Sequence, residues 1–261
     1  MQIFVINLPE ANERRKFQHS QLLKLNLDYK IIDAISVDDI DEITYKKHYF
    51  DWQRPLLYNE IACYYSHRSV WKKIIKNKEP ALILEDDALL SKCVPKLMNN
   101  LKCNDNVDLI NLENRGRKKF VSKSHVNIEC ESKLLRLYQD RTGAAGYILW
   151  PSGAKKLIQL EKNNGIALAD AHITSCHKLN AYQVEPSPVI QLDQCSLYGI
   201  VNTYSRGASI STVGSNDKSK AGINFIANRL LHQFYLGIRQ LLLLTKSTRR
   251  FIKIRKNDFY Y

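Results

Sequence analysis

The chain of 261 residues carries 39 Lys and Arg against 26 Asp and Glu, which gives a formal net charge of +13. Its 44% hydrophobic content allows a sizeable core, so the length suits one large α/β domain, with or without a helical extension. No run approaches 18 consecutive apolar residues, which excludes a membrane-spanning helix.

The N-terminal segment "MQIFVINLPE" has neither a basic region nor a long apolar core, so it is predicted to be a first strand rather than a secretory signal. Six cysteines occur without a CxxC pair, and we expect free thiols. Both observations favour a cytoplasmic protein.

The positive charge is concentrated near the C-terminus. Residues 217–261 have a net charge of +8, and the remaining 216 residues share only +5. A nucleic-acid-binding protein more often spreads basic residues over a folded face. The charge therefore argues against nucleic acid as the partner.

Apolar periodicity predicts strands alternating with helices along residues 1–195. Strands are expected at residues 3–8, 29–35, 81–84, 108–113 and 143–150. Helices are expected after the first strand, after the candidate N-cap Asn59, and from Pro151 onwards. Residues 114–132 are polar and basic, and we expect a surface excursion there. The pattern is typical of an α/β layered fold.

The last 45 residues contain an amphipathic helical pattern followed by a basic cluster. Leu230, Phe234, Ile238 and Leu241 lie on its apolar side, and Arg239 and Gln240 lie on its polar side. Such a segment suits the surface of an anionic membrane, although a helix packed on the main domain has the same pattern. We expect domain 1 at residues 1–216 and the basic tail at 217–261.

Three consecutive carboxylates interrupt the apolar run "ALILEDDALL". If the strand continues, Glu85 and Asp87 point to one side and Asp86 to the other. Ligands of open α/β sheets bind at the carboxyl ends of strands, where two carboxylates can hold Mg²⁺ or Mn²⁺. A helix cap with a solvated Glu85 is the alternative.

The motifs "INLPEANERR", "YNEIACYYSHRSVWKKI", "ALILEDDALL", "TGAAGYILWPSGAKKLI" and "VEPSPVIQ" occur in an order that resembles glycosyltransferase family 25. This family includes lipooligosaccharide galactosyltransferases and is similar to collagen hydroxylysine galactosyltransferases. The resemblance implies a Rossmann-like nucleotide-sugar-binding domain of the GT-A type. It also implies a UDP-sugar donor, a divalent metal and an inverting transfer that forms a β-glycosidic bond.

The resemblance also implies roles for individual residues. Asp87 is the expected metal ligand, and Glu85 shares the metal or contacts the donor ribose, with Asp86 beside them at the donor. Asn7 and Leu8 are expected to border the uridine pocket. Arg14 is a candidate for binding the diphosphate because a guanidinium matches phosphate oxygens, but a solvated helical charge is the alternative.

The residues that contact the donor phosphates and the residue that acts as the base each have alternatives. His67 or Arg68 is a candidate for contacting the donor phosphates, whereas His67 is equally interpreted as a half-buried histidine with its hydrogen bonds satisfied. An inverting transfer needs one base for the acceptor hydroxyl. Asp170 is the expected base from the resemblance, with Glu185 and Asp193 as alternatives.

The sequence therefore predicts a metal-dependent enzyme that transfers a sugar from a UDP-sugar to a lipooligosaccharide or lipopolysaccharide core. Galactose is the favoured sugar, and glucose or the sugar of another UDP-sugar is the alternative. The tail is expected to bind the cytoplasmic face of the inner membrane. A sugar nucleotidyltransferase is disfavoured because no Gly-rich, Lys-containing phosphate loop occurs near the N-terminus. A non-catalytic membrane or nucleic-acid binder is the remaining alternative.

Overall fold

The structure, a computed structural model, describes residues 1–101, 106–139, 143–201 and 223–259. The strands are β1 (Gln2–Asn7), β2 (Lys30–Asp33), β3 (Ala81–Glu85), β4 (Ala88–Leu90), β5 (Leu109–Asn111), β6 (Lys119–Ser122), β7 (Val126–Ile128), β8 (Ser132–Gln139), β9 (Gly146–Leu149), β10 (Ala181–Glu185), β11 (Val189–Gln191) and β12 (Ser247–Arg250). The helices are α1 (Asn12–Lys24), α2 (Glu42–His48), α3 (Tyr58–Asn77), α4 (Val94–Leu101), α5 (Pro151–Asn164), α6 (Ala169–Ser175) and α7 (Ile223–Leu243). Short 3₁₀ turns occupy Val37–Asp39, Leu192–Tyr198 and Lys256–Phe259.

Most of the described strands form one large mixed sheet. Its order is β12-β6-β8-β10-β5-β9-β3-β1-β2, with β7 paired to β8, while β4 and β11 form a separate pair. Strand β1 runs parallel to β2 and β3, and β9 runs antiparallel to β3 and β5. This arrangement confirms the predicted α/β class, and the five strands predicted from the sequence are present.

The central strands are buried on both faces, which explains their continuous apolar runs. Phe4 and Ile83 pack with Trp71 of α3 on one face. Val5 and Leu84 pack on the other face, in the cluster that includes α4. Because β1 and β3 are parallel and Ile6 pairs with Glu85, their carboxyl ends meet at one sheet edge. That edge carries the candidate site.

One local prediction from the sequence is wrong, and another holds only in part. Helix α3 begins at Tyr58, and its first turn is capped by Glu60, which accepts from the backbone N–H of Leu57 at 3.0 Å, so Asn59 is not the N-cap. Residues 114–132 are only partly a surface excursion, because 123–127 are exposed whereas β6 is buried throughout and Lys119 is 0% exposed. The Lys119 ammonium is satisfied internally by the Glu113 carbonyl and the Gln183 amide oxygen.

The C-terminal segment contains the predicted helix, α7, but the chain after it returns to the domain. Strand β12 runs antiparallel to β6, and Arg250 pairs with Glu185. Phe259 is buried in a cluster with Phe17 and Leu89. Residues 247–259 are therefore part of the folded body. The expected division at residue 216 lies outside the described residues and stays a prediction.

None of the helices that the structure describes is long and apolar enough to cross a membrane. The described cysteines, which are Cys63, Cys93, Cys130, Cys176 and Cys195, are free thiols, as predicted, and Cys103 lies outside the described residues.

Candidate active site

The three consecutive carboxylates lie at the carboxyl end of β3. The strand ends at Glu85, and Asp86 and Asp87 form a tight turn that leads directly into β4. The side chain of Asp86 points toward α1, whereas Glu85 and Asp87 both approach Gln191 of β11. The predicted separation of Asp86 from its neighbours is confirmed, although a turn produces it rather than strand alternation.

Asp86 is held by two side chains from the first βα unit. Asn7 donates to its Oδ2 at 2.9 Å, and Arg14 donates to its Oδ1 at 2.8 Å. Burial raises the pKa of Asp86 above its usual value even though Arg14 and Asn7 act to lower it. Asn7 is only 1% exposed and also accepts from Arg15, so its side chain organises this corner from within the protein.

Glu85 and Asp87 converge on one amide group. Nε2 of Gln191 lies 3.0 Å from Oε2 of Glu85 and 3.5 Å from Oδ1 of Asp87. Burial acts to raise the pKa of Glu85, but hydrogen bonds from His67 and Gln191 and the nearby Arg115 leave it below its ordinary value. Burial, followed by the charges of Glu85 and Asp86, raises the pKa of Asp87 to about 7.

These two carboxylates fit a hard divalent cation. An oxygen of each lies within 3.5 Å of the same Gln191 nitrogen, and Mg²⁺ and Mn²⁺ prefer carboxylate oxygen ligands. Repulsion from Glu85 and Asp86 adds to burial in raising the pKa of Asp87, and the charge of Arg14 only partly offsets it. A cation between Glu85 and Asp87 would offset the remaining repulsion, so the residues present are suited to the metal that the sequence predicts.

A cavity of about 500 Å³ adjoins the acidic turn, and it is large enough for a nucleotide sugar. Leu8 and Arg14 line it from the first βα unit, and Glu85, Asp86 and Asp87 line its floor. The far wall is formed by the segment after β2, where the chain turns from Ala34 to Asp38. Leu8 and Arg14 therefore line this cavity, whereas Asn7, which is 1% exposed, does not.

His67 lies on α3 and is 1% exposed. Its Nδ1 lies 2.9 Å from the hydroxyl of Tyr147, and its Nε2 lies 3.1 Å from Oε1 of Glu85. Both ring nitrogens therefore have partners within the protein, which supports the interpretation of a buried, satisfied histidine. Arg68 points away from the acidic turn and pairs with Glu161 at 2.7 Å.

A second cavity of about 240 Å³ shares a wall with the first, since Asn59, Cys63 and Glu85 line both. Asp170, in the first turn of α6, lines this second cavity together with Arg115. Asp170 and Glu85 both contribute to raising the pKa of Cys63, although burial is the larger cause. Asp170 is thus brought to the same region as the acidic turn.

The two alternative bases occupy different surroundings. Glu185 is engaged by Arg250 in a bidentate ion pair and accepts from the backbone N–H of Lys253 at 2.9 Å. Asp193 pairs with Arg115 at 3.0 Å at the rim, where its side chain is 46% exposed. Neither residue lines the cavities described above, whereas Asp170 does.

Sequence reasoning did not single out Gln191, Arg115, Tyr147 or Glu113, although "VIQ" and "GYILW" lie within the quoted motifs. Glu113 is 0% exposed, and its Oε2 accepts from the backbone N–H of Ala145 at 2.7 Å. Burial, followed by the charge of Glu85, raises the pKa of Glu113 to about 8. A Cβ at Gly143 would lie 2.5 Å from this carboxyl group, so a glycine is required there. These residues are distant in sequence from "EDD", and no local pattern marks them.

The family profile described as "Glycosyltransferase family 25 (LPS biosynthesis protein)" matches residues 1–173. The chain belongs to glycosyltransferase family 25. The match contains β1, α3, the acidic turn and Asp170, so both candidate cavities lie largely within the family region.

Three relatives illustrate the range of this family. A Haemophilus influenzae protein named "Putative glycosyltransferase" is 30% identical over 171 residues, covering 64% of this chain and 60% of its own. Human procollagen galactosyltransferase 2 is 28% identical over 171 residues, covering 60% of this chain and 27% of its own. The lipooligosaccharide biosynthesis protein lic2B of Haemophilus influenzae is 25% identical over 209 residues, covering 73% of this chain and 76% of its own. The chain thus corresponds to only part of the first two relatives.

Proposed function

We propose that this family 25 member transfers a sugar from a UDP-sugar to the core of a lipooligosaccharide or lipopolysaccharide. Galactose is the favoured sugar, because relatives are named galactosyltransferases, and glucose or the sugar of another UDP-sugar is the alternative. The observation that carries the proposal is the position of Glu85, which lines both the nucleotide-sized cavity and the smaller cavity that contains Asp170. A donor and an acceptor bound in these two spaces would meet at the acidic turn.

We propose a GT-A-type arrangement in which the larger cavity holds the UDP-sugar. The uridine would lie against Leu8 and the residues 34–38, and the diphosphate would face Arg14. Asp87 and Glu85 would hold a divalent cation, Mn²⁺ or Mg²⁺, which when bound stabilises the negative charge that develops on the departing diphosphate.

The transfer is proposed to invert the anomeric carbon and to form a β-glycosidic bond. An acceptor hydroxyl in the smaller cavity attacks that carbon, and Asp170 accepts the hydroxyl proton as the new carbon–oxygen bond forms. The bond between the anomeric carbon and the diphosphate oxygen breaks, and its electron pair leaves with UDP. Arg14 would stabilise this leaving group, because a guanidinium can donate two parallel hydrogen bonds to phosphate.

We further propose that α7 binds the cytoplasmic face of the inner membrane, where a glycolipid acceptor would be presented. Its side chains Leu230, Phe234, Leu241 and Leu242 are between 60% and 70% exposed. On the opposite side, Arg239 donates to the carbonyl of Tyr138 and Leu243 is buried. The helix therefore turns its apolar side to solvent, and the basic residues that follow it match anionic lipid.

The activity is tested by measuring UDP release from a panel of UDP-sugars, with and without Mn²⁺, in the presence of a truncated lipooligosaccharide. The proposal expects metal-dependent release with one preferred donor, accompanied by a mass increase of one hexose on the acceptor. Release of pyrophosphate instead of UDP would favour a nucleotidyltransferase. Absence of any transfer with the whole panel would contradict the proposed donor or acceptor class.

A further inference from the structure

A chain of buried hydrogen bonds ends on the metal-facing carboxylate. The indole N–H of Trp71 donates to the hydroxyl of Tyr147 at 2.8 Å, and that hydroxyl lies 2.9 Å from Nδ1 of His67. Nε2 of His67 then lies 3.1 Å from Oε1 of Glu85. Trp71, Tyr147 and His67 are at most 2% exposed, so water does not compete for these contacts.

The two ends of this chain can each act in only one way, because an indole N–H donates and a carboxylate oxygen accepts. The Tyr147 oxygen accepts from Trp71, and Nδ1 of His67 is then the acceptor within reach of its hydroxyl proton. At the other end, Oε1 of Glu85 accepts, so the ring proton of His67 lies on Nε2 and Nδ1 accepts from Tyr147.

The residues around His67 could also be interpreted as a zinc site. Cys63, His67 and Glu85 each offer a ligand atom within 4.8 Å of the others, and thiolate, imidazole and carboxylate are ligands of Zn²⁺. To bind a metal, Nε2 of His67 would have to lose its proton, and Nδ1 would then carry it. The Tyr147 hydroxyl proton would be left buried without its acceptor, at a cost of about 1–3 kcal/mol. The hydrogen-bond chain thus disfavours a zinc site here.

We propose that His67 is a positioning residue, which Tyr147 and Trp71 hold in the Nε2–H form so that Glu85 presents its other oxygen to the metal. Oε1 of Glu85 is occupied by His67, and Oε2 faces Gln191 beside Asp87. The inference rests on the proposed function for the identity of the cation. It adds a role for His67, which is to fix the orientation of Glu85. Partners of metal ligands commonly change metal affinity by about 10–100-fold when they are removed.

The test compares Tyr147→Phe with the matched variant Tyr64→Phe. Tyr64 is also a buried tyrosine in this region, but its hydroxyl contacts Glu161 and His172 instead of the chain. Two readouts that need no catalysis are used. The free Mn²⁺ signal in electron paramagnetic resonance gives the metal affinity, and ¹⁵N NMR of labelled histidine, assigned with His67→Gln, gives the tautomer.

The proposal expects an unprotonated Nδ1 at His67 in the wild type. It expects Mn²⁺ affinity about 10–100-fold weaker in Tyr147→Phe, with a mixed His67 tautomer, and about the wild-type affinity in Tyr64→Phe. A protonated Nδ1 in the wild type would overturn it, and this measurement requires no variant to fold. Equal Mn²⁺ affinity in wild type and Tyr147→Phe would also overturn it.

Failure of the proposed function would be seen as an absence of metal binding, which differs from the outcomes above. If the wild type binds no Mn²⁺ or Mg²⁺ at all, the cation assigned to Glu85 and Asp87 is wrong. The His67 spectrum of Tyr147→Phe then tests by itself whether Tyr147 sets the tautomer of His67. A spectrum identical to that of the wild type would show that Tyr147 does not set the tautomer and would end the proposal.

Discussion

Arg14 donates to Oδ1 of Asp86 at 2.8 Å, and this contact draws the middle carboxylate of the acidic turn away from the two beside it. Glu85 and Asp87 are left facing Gln191. The three carboxylates are therefore divided between two tasks. One anchors the guanidinium that borders the larger cavity, and the other two form the oxygen pair suited to a cation.

Replacing Arg14 tests its proposed contact with the diphosphate. Arg14→Gln is expected to raise the KM for the UDP-sugar by about 10–100-fold, because a hydrogen bond to a charged group contributes about 1.5–3 kcal/mol. The control is Lys16→Gln, two residues along the same helix, where the lysine is exposed and pairs with Glu13. Steady-state kinetics with varied donor measure both. Equal KM values for Arg14→Gln and the control would rule out the contact.

Asp170→Asn tests the proposed base. The substitution keeps the size of the side chain but removes its ability to accept the hydroxyl proton, so kcat is expected to fall by about 10²–10⁴-fold. Donor affinity, measured as UDP binding by calorimetry, is expected to be unchanged. Asp193→Asn at the rim is the matched control and is expected to retain most activity. A larger loss in the Asp193 variant than in the Asp170 variant would reverse the assignment.

Glu113 is expected to make stability depend on pH. Its folded-state pKa of about 8 lies above the ordinary value of 4.5, so the folded protein binds this proton more tightly than the unfolded chain does. Stability is therefore lost as pH rises from about 4.5 to 8. Glu113→Gln, which cannot ionise, is expected to be more stable than the wild type at pH 9, by on the order of 2–4 kcal/mol.

Urea unfolding of the wild type and Glu113→Gln at pH 4 and pH 9 measures this difference. The two proteins are expected to be about equally stable at pH 4, since Glu113 is then protonated in the folded state and largely so in the unfolded state. A constant difference at both pH values would mean that the pKa of Glu113 is the same in the folded and unfolded protein, which contradicts the raised value.

The exposed apolar side of α7 is expected to bind membranes. The double variant Phe234→Ser, Leu241→Ser removes two large exposed side chains, so binding to vesicles that contain anionic lipid should weaken by at least about tenfold. Leu23→Ser on α1 is the control, because Leu23 is also an exposed leucine, at 69%. Vesicle co-sedimentation measures all three proteins. A dimer that the double variant converts to a monomer, without any change in vesicle binding, would identify a second copy as the occupant instead.

The sequence predicted the central strands and α3 because these segments are apolar on the faces that the sheet and helices bury. It failed at β6 within residues 114–132, since the burial of Lys119 depends on Glu113 and on Gln183 of β10, which lie outside that segment. The return of residues 247–259 to the sheet was missed for a related reason. A short basic strand such as β12 has no apolar alternation, and only its pairing with β6 defines it.

The site was predictable where its residues are contiguous. Glu85, Asp86 and Asp87 are adjacent in sequence, and their position after an apolar strand indicates a sheet edge. The residues that give these carboxylates different environments, such as Gln191 and Tyr147, are distant in sequence. Each is a single polar residue within a buried strand, so no local pattern indicates its role. Family resemblance directed attention to Asp170, but its presence in a cavity shared with Glu85 required the fold.

Equilibrium binding of UDP with and without Mn²⁺, measured for the wild type, Asp87→Asn and the control Asp193→Asn, tests whether the acidic turn holds a metal at the donor site. We expect Mn²⁺ to strengthen UDP binding to the wild type and to Asp193→Asn, and we expect no strengthening in Asp87→Asn. Binding of UDP that is equally strong with and without Mn²⁺ or Mg²⁺ in the wild type, or a metal effect that persists in Asp87→Asn, would contradict a metal-assisted donor site at the acidic turn.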